Sequence, residues 1–263
     1  PLSEAANGTI WGEAVSAVVL QRDPKPGASL VSMTGHAVVK NNPKLPLGFA
    51  DPDTMAAATT SALLSAGLQP TQVALVHLHA MGSLPSDLPE AQGVLPVLTG
   101  SRTADQLVLL GHKSSFGHSV AASGILGAIV TTLALQHRVV PVPANFGKPL
   151  QLLQETKKIL IPTSGSHLLD TSGTMSGATN GTSFSGHNVH AVFQHNLNHN
   201  RPLQMTCKFK DVPHQQPDQT VNSAPFRATA TAPLATDSSL ELMIMNQIKS
   251  VLGEEVDPAM PLM

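Results

Sequence analysis

The chain has 263 residues, of which 41% are hydrophobic and only 12% are charged, and its net charge at pH 7 is −2. This composition excludes wholesale disorder, because the apolar residues are numerous enough to form a sizeable core. The sequence contains no run of Lys or Arg, which argues against a nucleic-acid partner, since phosphate binding requires a concentrated basic face. The single cysteine, Cys207, excludes an internal disulfide framework and a cluster of thiolate metal ligands.

Short apolar runs and helical stretches alternate from residue 1 to about residue 196. The runs at residues 14–20 and 28–39 predict buried strands, because they are β-branched and continuously apolar. A helix is predicted at residues 53–66, opened by Asp51 and ended by Gly67. Further strands are predicted at residues 73–78, 107–110, 158–161 and 188–193. Strands that alternate with helices indicate a layered α/β domain.

Residues 118–136 predict a long helix that is apolar on every side and is therefore expected to be buried. No continuous apolar run approaches ~18 residues, so we expect no membrane span. The N-terminal residues lack an initiator Met and the basic-then-apolar order of a secretory signal. We therefore expect a piece of a longer protein, cytoplasmic or organellar, whose charge-poor surface faces other protein.

The composition changes after the α/β region. Residues 197–236 are rich in Asn, Pro, Gln, Thr and Ala and are predicted to be a linker. Residues 237–263 begin with a capping Asp237 and carry apolar residues at helical spacing up to Gly253. A lone helix cannot bury its own apolar stripe, so we expect its partner helices to lie outside this sequence.

The first candidate site is residues 76–92, VHLHAMGSLPSDLPEAQ. A strand delivers His79 to a Gly- and Ser-bearing loop, and Asp87 and Glu90 open the helix that follows. A histidine at the carboxyl end of a buried strand lies where α/β folds usually bind ligands. The alternative is a strand-end histidine that bonds only to the backbone. His77 and His79 could together bind Zn²⁺, but no third ligand follows at a suitable spacing, so no metal is expected.

The second candidate site is residues 110–124, LGHKSSFGHSVAASG, in which Lys113 and His118 flank a turn that leads into the long helix. The positive end of a helix dipole favours the neutral form of a nearby histidine. Neutral imidazole can donate a hydrogen bond to a developing oxyanion without first losing a proton. The alternative is a loop whose polar side chains are simply solvated.

The third candidate site is residues 177–194, GATNGTSFSGHNVHAVFQ. A Gly- and Ser-rich turn allows the backbone to approach a ligand closely, and Phe184 lies in the middle of that turn. By itself this pattern is weak, because turns of this composition are common.

The order and spacing of these segments resemble the C-terminal half of a β-ketoacyl synthase, the condensing domain of polyketide and fatty-acid synthases. The family motif V-E-A-H-G-T-G-T-P-L-G-D-P-I-E-A-Q aligns with residues 76–92 without a gap. The motif K-S-N-I-G-H-x-x-A-A-x-G aligns with residues 113–124, and G-F-G-G-T-N-A-H-V-V aligns with residues 183–192. Residues 7–13 resemble D-G-F-V-R-G-E, and residues 47–53 resemble G-L-T-A-P-D. The resemblance extends to about residue 195.

The resemblance implies a thiolase-like α/β fold and a decarboxylative Claisen condensation. Family members load an acyl chain on a Cys and decarboxylate a malonyl group held on a carrier protein, and the carbanion attacks the acyl thioester. Carried over, His79 and His118 polarise the malonyl thioester carbonyl and stabilise the enolate. Lys113 orients His118 and tunes the local field. Phe184 takes the gate position, with its backbone N–H in the oxyanion hole.

The sequence also departs from the family pattern. Met81 and Ser83 replace two Thr that line the pantetheine tunnel, and Ala80 replaces a Gly. Cys207 matches no motif, so the nucleophilic Cys is expected in an N-terminal half outside this sequence, and the isolated chain is expected to be inactive. Other retained polar residues are expected to support the site, namely Asp87, Glu90 and Asn188.

The resemblance implies several partners but no bound cofactor. The phosphopantetheine arm of an acyl carrier protein brings the substrate, the missing N-terminal half completes the domain, and an intact synthase is expected to be a homodimer. Residues 240–263 show a weaker resemblance to the first helix of an acyl carrier protein, with a plain amphipathic helix as the alternative. A rival function is a non-catalytic condensing-like domain that only docks carriers: His79, Lys113 and His118 argue against it, whereas Ala80 and Met81 favour it.

Overall fold

The computed structural model describes residues 1–22, 31–42, 45, 49–103, 105–144, 146–162, 166–169 and 174–195. The predicted linker at 197–236 and the predicted carrier-like helix at 237–263 lie outside the described residues, and Cys207 lies there with them. Those boundaries, including the one at residue 196, therefore remain predictions.

The described residues form a mixed sheet with helices on both sides and a small second sheet. The strands are β1 (Val31–Lys40), β2 (Val73–His77), β3 (Leu107–Leu110), β4 (Val139–Pro141), β5 (Ile159–Leu160), β6 (Ser166–Leu168), β7 (Ser176–Thr182) and β8 (His187–His195). The helices are α1 (Pro52–Ala66), α2 (Leu84–Thr99), α3 (Lys113–Phe116), α4 (Ser123–His137) and α5 (Gln151–Glu155), with 3-10 turns at Pro70–Gln72 and Val120–Ala122.

The large sheet has the strand order β1-β8-β7-β2-β3-β5. Strand β2 runs parallel to β3 and β7, and β3 runs parallel to β5. Strand β8 runs antiparallel to both β1 and β7, so the β7–β8 hairpin joins the parallel part of the sheet to its edge strand. Strands β4 and β6 form the separate antiparallel pair.

Strand β3 shows that both faces of the sheet are covered. All four of its residues are buried, but they alternate between two cores. Leu107 and Leu109 pack in the core that includes α1 and α2, whereas Val108 and Leu110 pack in the core that includes α4. A strand buried on both faces is continuously apolar, which is why the sequence pattern located it correctly. The α/β class predicted from the sequence is confirmed.

Helix α1 begins and ends at the predicted signals. The side chain of Asp51 accepts a hydrogen bond from the backbone N–H of Asp53 at 3.1 Å, which caps the N-terminus. Gly67 ends the helix in the left-handed conformation, with φ of 65°. The helix lies directly on β1, because a Cβ atom placed on Gly35 would lie 2.4 Å from the carbonyl oxygen of Ala62.

Three predictions from the sequence are wrong in detail. The strand predicted at residues 28–39 is present as β1, but only one of its ten residues is buried. Residues 14–20 form no strand, and Val15 and Val19 are fully exposed, because no strand of the described chain pairs with this apolar segment. Helix α4 starts at residue 123 rather than 118 and is buried along one side only, at positions spaced about one turn apart. Ile125 and Leu133 on its other side are more than a third exposed.

The segment Val120–His137 is long and apolar enough to cross a membrane by length and composition, although 28% of it is buried within the fold. The expectation of no membrane span remains a prediction, because one helix of this length and composition is weak evidence for a span. Helix α4 packs on β7 and β8 of the large sheet. A core helix in a layered domain can have the same length and apolar composition as a membrane-spanning helix.

Candidate functional site

All three candidate segments line one cavity. The cavity has a volume of about 520 Å³ and lies between the start of α4 and strands β7 and β8. His79 and Met81 come from the first segment, His118 from the second and Phe184 from the third. The structure thus brings together residues that are far apart in the sequence.

His79 and His118 face each other in this cavity. Their ring centroids lie 5.2 Å apart with an interplanar angle of 84°. Both residues are buried, with 6% and 4% of their surfaces exposed. Burial lowers the pKa of His79 well below its ordinary value, and the charge of Lys113 adds to this effect. Burial and Lys113 also lower the pKa of His118, so both imidazoles are neutral at pH 7.

The buried carboxylate of Glu90 holds the loop that carries His79. The backbone N–H groups of His79 and Ala80 donate to its two oxygens at 2.6 and 2.7 Å, and the side-chain amide of Asn180 donates to the first oxygen at 2.7 Å. Glu90 is completely buried, and this burial raises the pKa of its carboxyl group. Three N–H donors converge on it, which is the environment that a carboxylate requires inside a protein.

Asp87 holds the next turn of the same loop. Its carboxylate accepts hydrogen bonds from the backbone N–H of Gly82 at 3.1 and 3.2 Å and from that of Leu2 at 2.8 Å. Gly82 has φ of 93°, and a Cβ there would lie 2.6 Å from the carbonyl oxygen of Gly8, so only glycine fits. Ala80 also has a positive φ, of 36°, which is unfavourable for a residue with a Cβ.

Lys113 contacts His79 rather than His118. Its buried ammonium group donates to the carbonyl oxygen of His79 and lies 3.5 Å from Nδ1 of the same residue. Burial lowers the pKa of Lys113 to about 8, against the opposing charges of Glu90 and Asp87. The hydrogen bonds therefore indicate that Lys113 orients His79. Lys113 makes no hydrogen bond to His118, the residue that it was predicted to orient.

His118 is held by neutral groups. Its Nδ1 accepts a hydrogen bond from the backbone N–H of Val120 at 3.2 Å and lies 2.7 Å from the hydroxyl oxygen of Ser123. The Trp11 ring stacks on the imidazole with centroids 5.5 Å apart. Because a backbone N–H can only donate, Nδ1 of His118 carries no proton in the neutral ring, and the proton lies on Nε2.

The remaining predicted residues divide between the cavity and its surroundings. Phe184 is half exposed in the β7–β8 turn and lines the cavity, as does Met81. Ser83 is the N-cap residue of α2 and does not line the cavity. Asn188 lies on β8, where its side-chain amide donates to Thr54 of α1 at 2.8 Å and so joins helix and sheet.

Sequence reasoning missed several residues at or near the cavity. Thr179 and Asn180 line it from β7, and Ser123 supports His118 from the start of α4. His112, which no candidate assignment included, contacts His77 of the first segment. None of these belongs to a motif by residue type, so only the folded chain shows them. Within the described ranges, no group of three or more His, Cys, Asp or Glu side chains is arranged to hold a metal ion.

Comparisons with known proteins agree with this architecture. Residues 27–147 match the family described as "Beta-ketoacyl synthase, C-terminal domain". Polyketide synthase GfsA of Streptomyces halstedii is 29% identical over 198 residues, which are 73% of this chain and 3% of that protein. Lovastatin diketide synthase mokB of Monascus pilosus is 28% identical over 193 residues, which are 72% of this chain and 7% of that protein. The chain therefore spans a small part of these curated relatives.

Solved ketosynthases have the same fold. The oxazolomycin ketosynthase domain of Streptomyces albus superposes with a TM-score of 0.58 at 18% identity, over 64% of this chain and 30% of that one. The ketosynthase from module 6 of the bacillaene synthase of Bacillus subtilis gives the same TM-score and identity, over 65% and 32% of the two chains. The described part of this chain therefore has the thiolase-like fold of ketosynthases, and residues 27–147 are similar to the C-terminal domain of β-ketoacyl synthases.

Proposed function

We propose that this chain supplies the malonyl-activating half of a decarboxylative condensation site in polyketide biosynthesis. The observation that carries the proposal is the pair of neutral, buried imidazoles of His79 and His118, which face one cavity. A thioester oxygen that becomes negatively charged during decarboxylation needs fixed N–H donors in a place that excludes water.

Hydrogen bonding supports Nε2 as the donor atom on both rings. Nδ1 of His118 already accepts from the backbone N–H of Val120. Nδ1 of His79 lies against the Lys113 ammonium, which has only donors to offer. Each neutral ring therefore keeps its proton on Nε2, where it can be donated to the enolate oxygen as carbon dioxide leaves. The positive charge of Lys113 also stabilises this enolate, because the Lys113 ammonium lies next to the His79 ring, which would contact the enolate oxygen.

The substrate in this proposal is a malonyl group on the phosphopantetheine arm of an acyl carrier protein. Met81 borders the path of the arm and Phe184 is its gate, whereas Ser83 lies two residues further along the same loop, outside the cavity lining. Asp87, Glu90 and Asn188 maintain the surrounding loops. The acyl group awaiting condensation is held on a cysteine supplied by a polypeptide segment other than these 263 residues. A homodimeric synthase is part of the same proposal.

The proposal is tested by decarboxylation in a synthase polypeptide that contains this chain. His79→Ala and His118→Ala should each slow the release of carbon dioxide from a malonyl thioester by roughly 10²–10³-fold, the usual loss when one oxyanion donor is removed. His36→Ala, on the exposed side of β1, is the matched control and should leave the rate unchanged. Near-normal decarboxylation by either cavity variant would contradict the proposal.

A second experiment concerns the 263-residue chain by itself. Covalent catalysis needs a thiolate activated by its surroundings, and Cys207 matches no part of the motifs. We expect no acyl-enzyme when the chain is incubated with an acyl thioester and its intact mass is measured. Stoichiometric acylation of Cys207, faster than that of a peptide thiol at the same pH, would show that this cysteine takes part.

The alternative function is a non-catalytic domain that docks carrier proteins, and two observations favour it. The Met81 side chain lines the cavity where the family motif has a hydroxyl, and Ala80 has an unfavourable backbone conformation where the motif has Gly. Carrier binding without carbon dioxide release, unchanged by His79→Ala, would establish this alternative. Restored turnover in Met81→Thr would instead show that a catalytic site has been modified.

A further inference from the structure

Two buried histidines behind the cavity, His77 and His112, form a direct hydrogen bond. Nε2 of His77 lies 2.6 Å from Nδ1 of His112, and the two residues are 1% and 3% exposed. Their ring planes differ by only 13°, and their centroids are 4.8 Å apart. That separation equals the N–N distance plus roughly one ring radius on each side, so the rings lie end to end and share one proton along a straight line.

The pair is enclosed on its other sides. Nδ1 of His77 lies 3.2 Å from the hydroxyl oxygen of Thr179, which lines the cavity. Helix α4 leaves room for this contact only because residue 127 is glycine: a Cβ on Gly127 would lie 2.8 Å from the Thr179 hydroxyl and 3.0 Å from Nδ1 of His77. Nε2 of His112 is buried without a hydrogen-bond partner among the described residues.

The position of the pair in the chain connects it to the candidate site. His77 lies on β2 two residues before His79, and His112 immediately precedes Lys113. The hydrogen bond between His77 and His112 therefore joins the two segments whose side chains meet in the Lys113–His79 contact. The family motif quoted above has Glu at the position of His77, so the shared-proton bond is a feature of this chain.

We propose that His77 and His112 are positioning residues: their hydrogen bond, the histidine bridge, fixes the segment carrying Lys113 against the segment carrying His79. This inference rests on the proposed function for its catalytic consequence, but the bridge itself is a property of the fold. It assigns no contact with substrate to either histidine.

The bridge requires that at least one of the two rings be neutral, because one of the bonded nitrogens must accept the shared proton. The titratable groups that face it are Lys113 and His79 on the side of His77, and Lys113 and His118 on the side of His112. A proton added to either ring places a second cation beside the Lys113 ammonium, and a proton on both rings sets two N–H groups against each other. Burial lowers the pKa of His112 to about 4 and lowers that of His77 well below its ordinary value, so the bridge is intact at neutral pH.

The test measures the pKa of the Lys113 side chain in the 263-residue chain by NMR with isotope-labelled lysine. In the unmodified chain this pKa is about 8. His112→Leu removes the bridge, so Lys113 should move toward water, and its pKa should rise by about one unit or more. The double variant H77Q/H112N places amide groups at the positions of the two bonded nitrogens, so it should keep the hydrogen bond and a Lys113 pKa of about 8.

Gly127→Ala provides an independent break, because its Cβ presses on His77 and Thr179 from α4, and it decides the matter if His112→Leu does not fold. His36→Gln, exposed on β1, is the control and should change nothing. An unchanged Lys113 pKa in the bridge-breaking variants would overturn the inference, and so would a raised one in H77Q/H112N.

A catalytic readout separates this inference from the proposed function. In a synthase that contains this chain, His112→Leu should lower kcat by about ten- to a hundredfold with little change in KM, because it displaces a group near the reacting atoms without touching the substrate arm. A shifted Lys113 pKa with unchanged kcat would leave the bridge established and contradict the catalytic role proposed for Lys113.

Discussion

His79 and His118 meet in one cavity, but charged groups hold the first and neutral groups hold the second. The loop of His79 is bound by the carboxylate of Glu90 and the ammonium group of Lys113, both buried. His118 is bound by a backbone N–H, the hydroxyl of Ser123 and the face of Trp11. Removing one partner of a buried charged group leaves an uncompensated charge or unpaired donors and strongly lowers the free energy of unfolding. Removing one of several neutral contacts lowers it much less.

The largest expected difference between the two sides comes from removing one support on each. Glu90→Ala leaves three N–H donors buried without an acceptor and should lower the free energy of unfolding by about 3–5 kcal/mol. Ser123→Ala leaves the Val120 N–H contact in place and should cost about 1 kcal/mol. Urea unfolding of the chain measures both, with Glu13→Ala on the exposed N-terminal segment as the control. Equal losses for the two variants would refute the distinction.

Lowering the pH should reduce the free energy of unfolding more through His79 than through His118. Both folded-state pKa values are lowered from 6.5, so below pH 6.5 the unfolded chain binds protons that the folded chain does not. The free energy of unfolding then falls as pH falls, by about 1.4 kcal/mol per pH unit for each such proton. His79→Gln should remove more of this slope between pH 6.5 and 4 than His118→Gln, because the pKa of His79 is lowered further. The opposite order would contradict the burial and the Lys113 charge that together lower the pKa of His79.

Alkaline pH should reveal Lys113. Its pKa of about 8 in the folded chain lies below its ordinary value of 10.5, so between these values only the unfolded chain keeps the proton. The free energy of unfolding should therefore gain a rising contribution across this range, by at most about 1.4 kcal/mol per pH unit. Lys113→Met should lack that contribution, whereas Lys40→Met, exposed on β1, should retain it. A rise of the same size in both variants would show that Lys113 is not its source.

The smallest expected effect concerns the backbone of the His79 loop. Ala80 has φ of 36°, which glycine adopts without strain, so Ala80→Gly should raise the free energy of unfolding by about 0.5–1 kcal/mol. Ala57→Gly on the exposed side of α1, where φ is ordinary, should lower it by about 1 kcal/mol. Thermal unfolding of the two variants provides the measurement. Destabilisation by Ala80→Gly would mean that the loop does not strain this residue.

The sequence predicted what local pattern determines. Continuous apolar runs located β2, β3 and β8, and the Asp51 and Gly67 signals located the ends of α1, because these features depend on neighbours in the chain. The run at residues 14–20 has the same pattern, but no strand in the described ranges pairs with it, and a strand needs both the pattern and a partner. The one-sided burial of α4 depends on which elements pack against it. The apolar residues of α4 alone therefore could not predict which side is buried.

The candidate site shows the same division. Spacing within the motifs brought His79, His118 and Phe184 to one cavity, as expected of matching segments. The partner of Lys113 is the carbonyl oxygen and ring of His79, and this depends on how far the turn at α3 lies from the end of β2. The end-to-end bond between His77 and His112 depends on strand order and ring orientation, which a single sequence does not encode in any short pattern.

The pairing of β1 with β8 has a consequence for the order of events during synthesis. Val31 pairs with His195 and Lys40 with His187, so the first strand of the sheet meets its hydrogen-bonding partner only after the last strand has been made. At ~5–20 residues per second, a ribosome needs roughly 7–30 s to add the intervening chain. Throughout that interval a ten-residue strand leaves the ribosome with its backbone N–H and C=O groups unpaired, which is when a chaperone has most to protect.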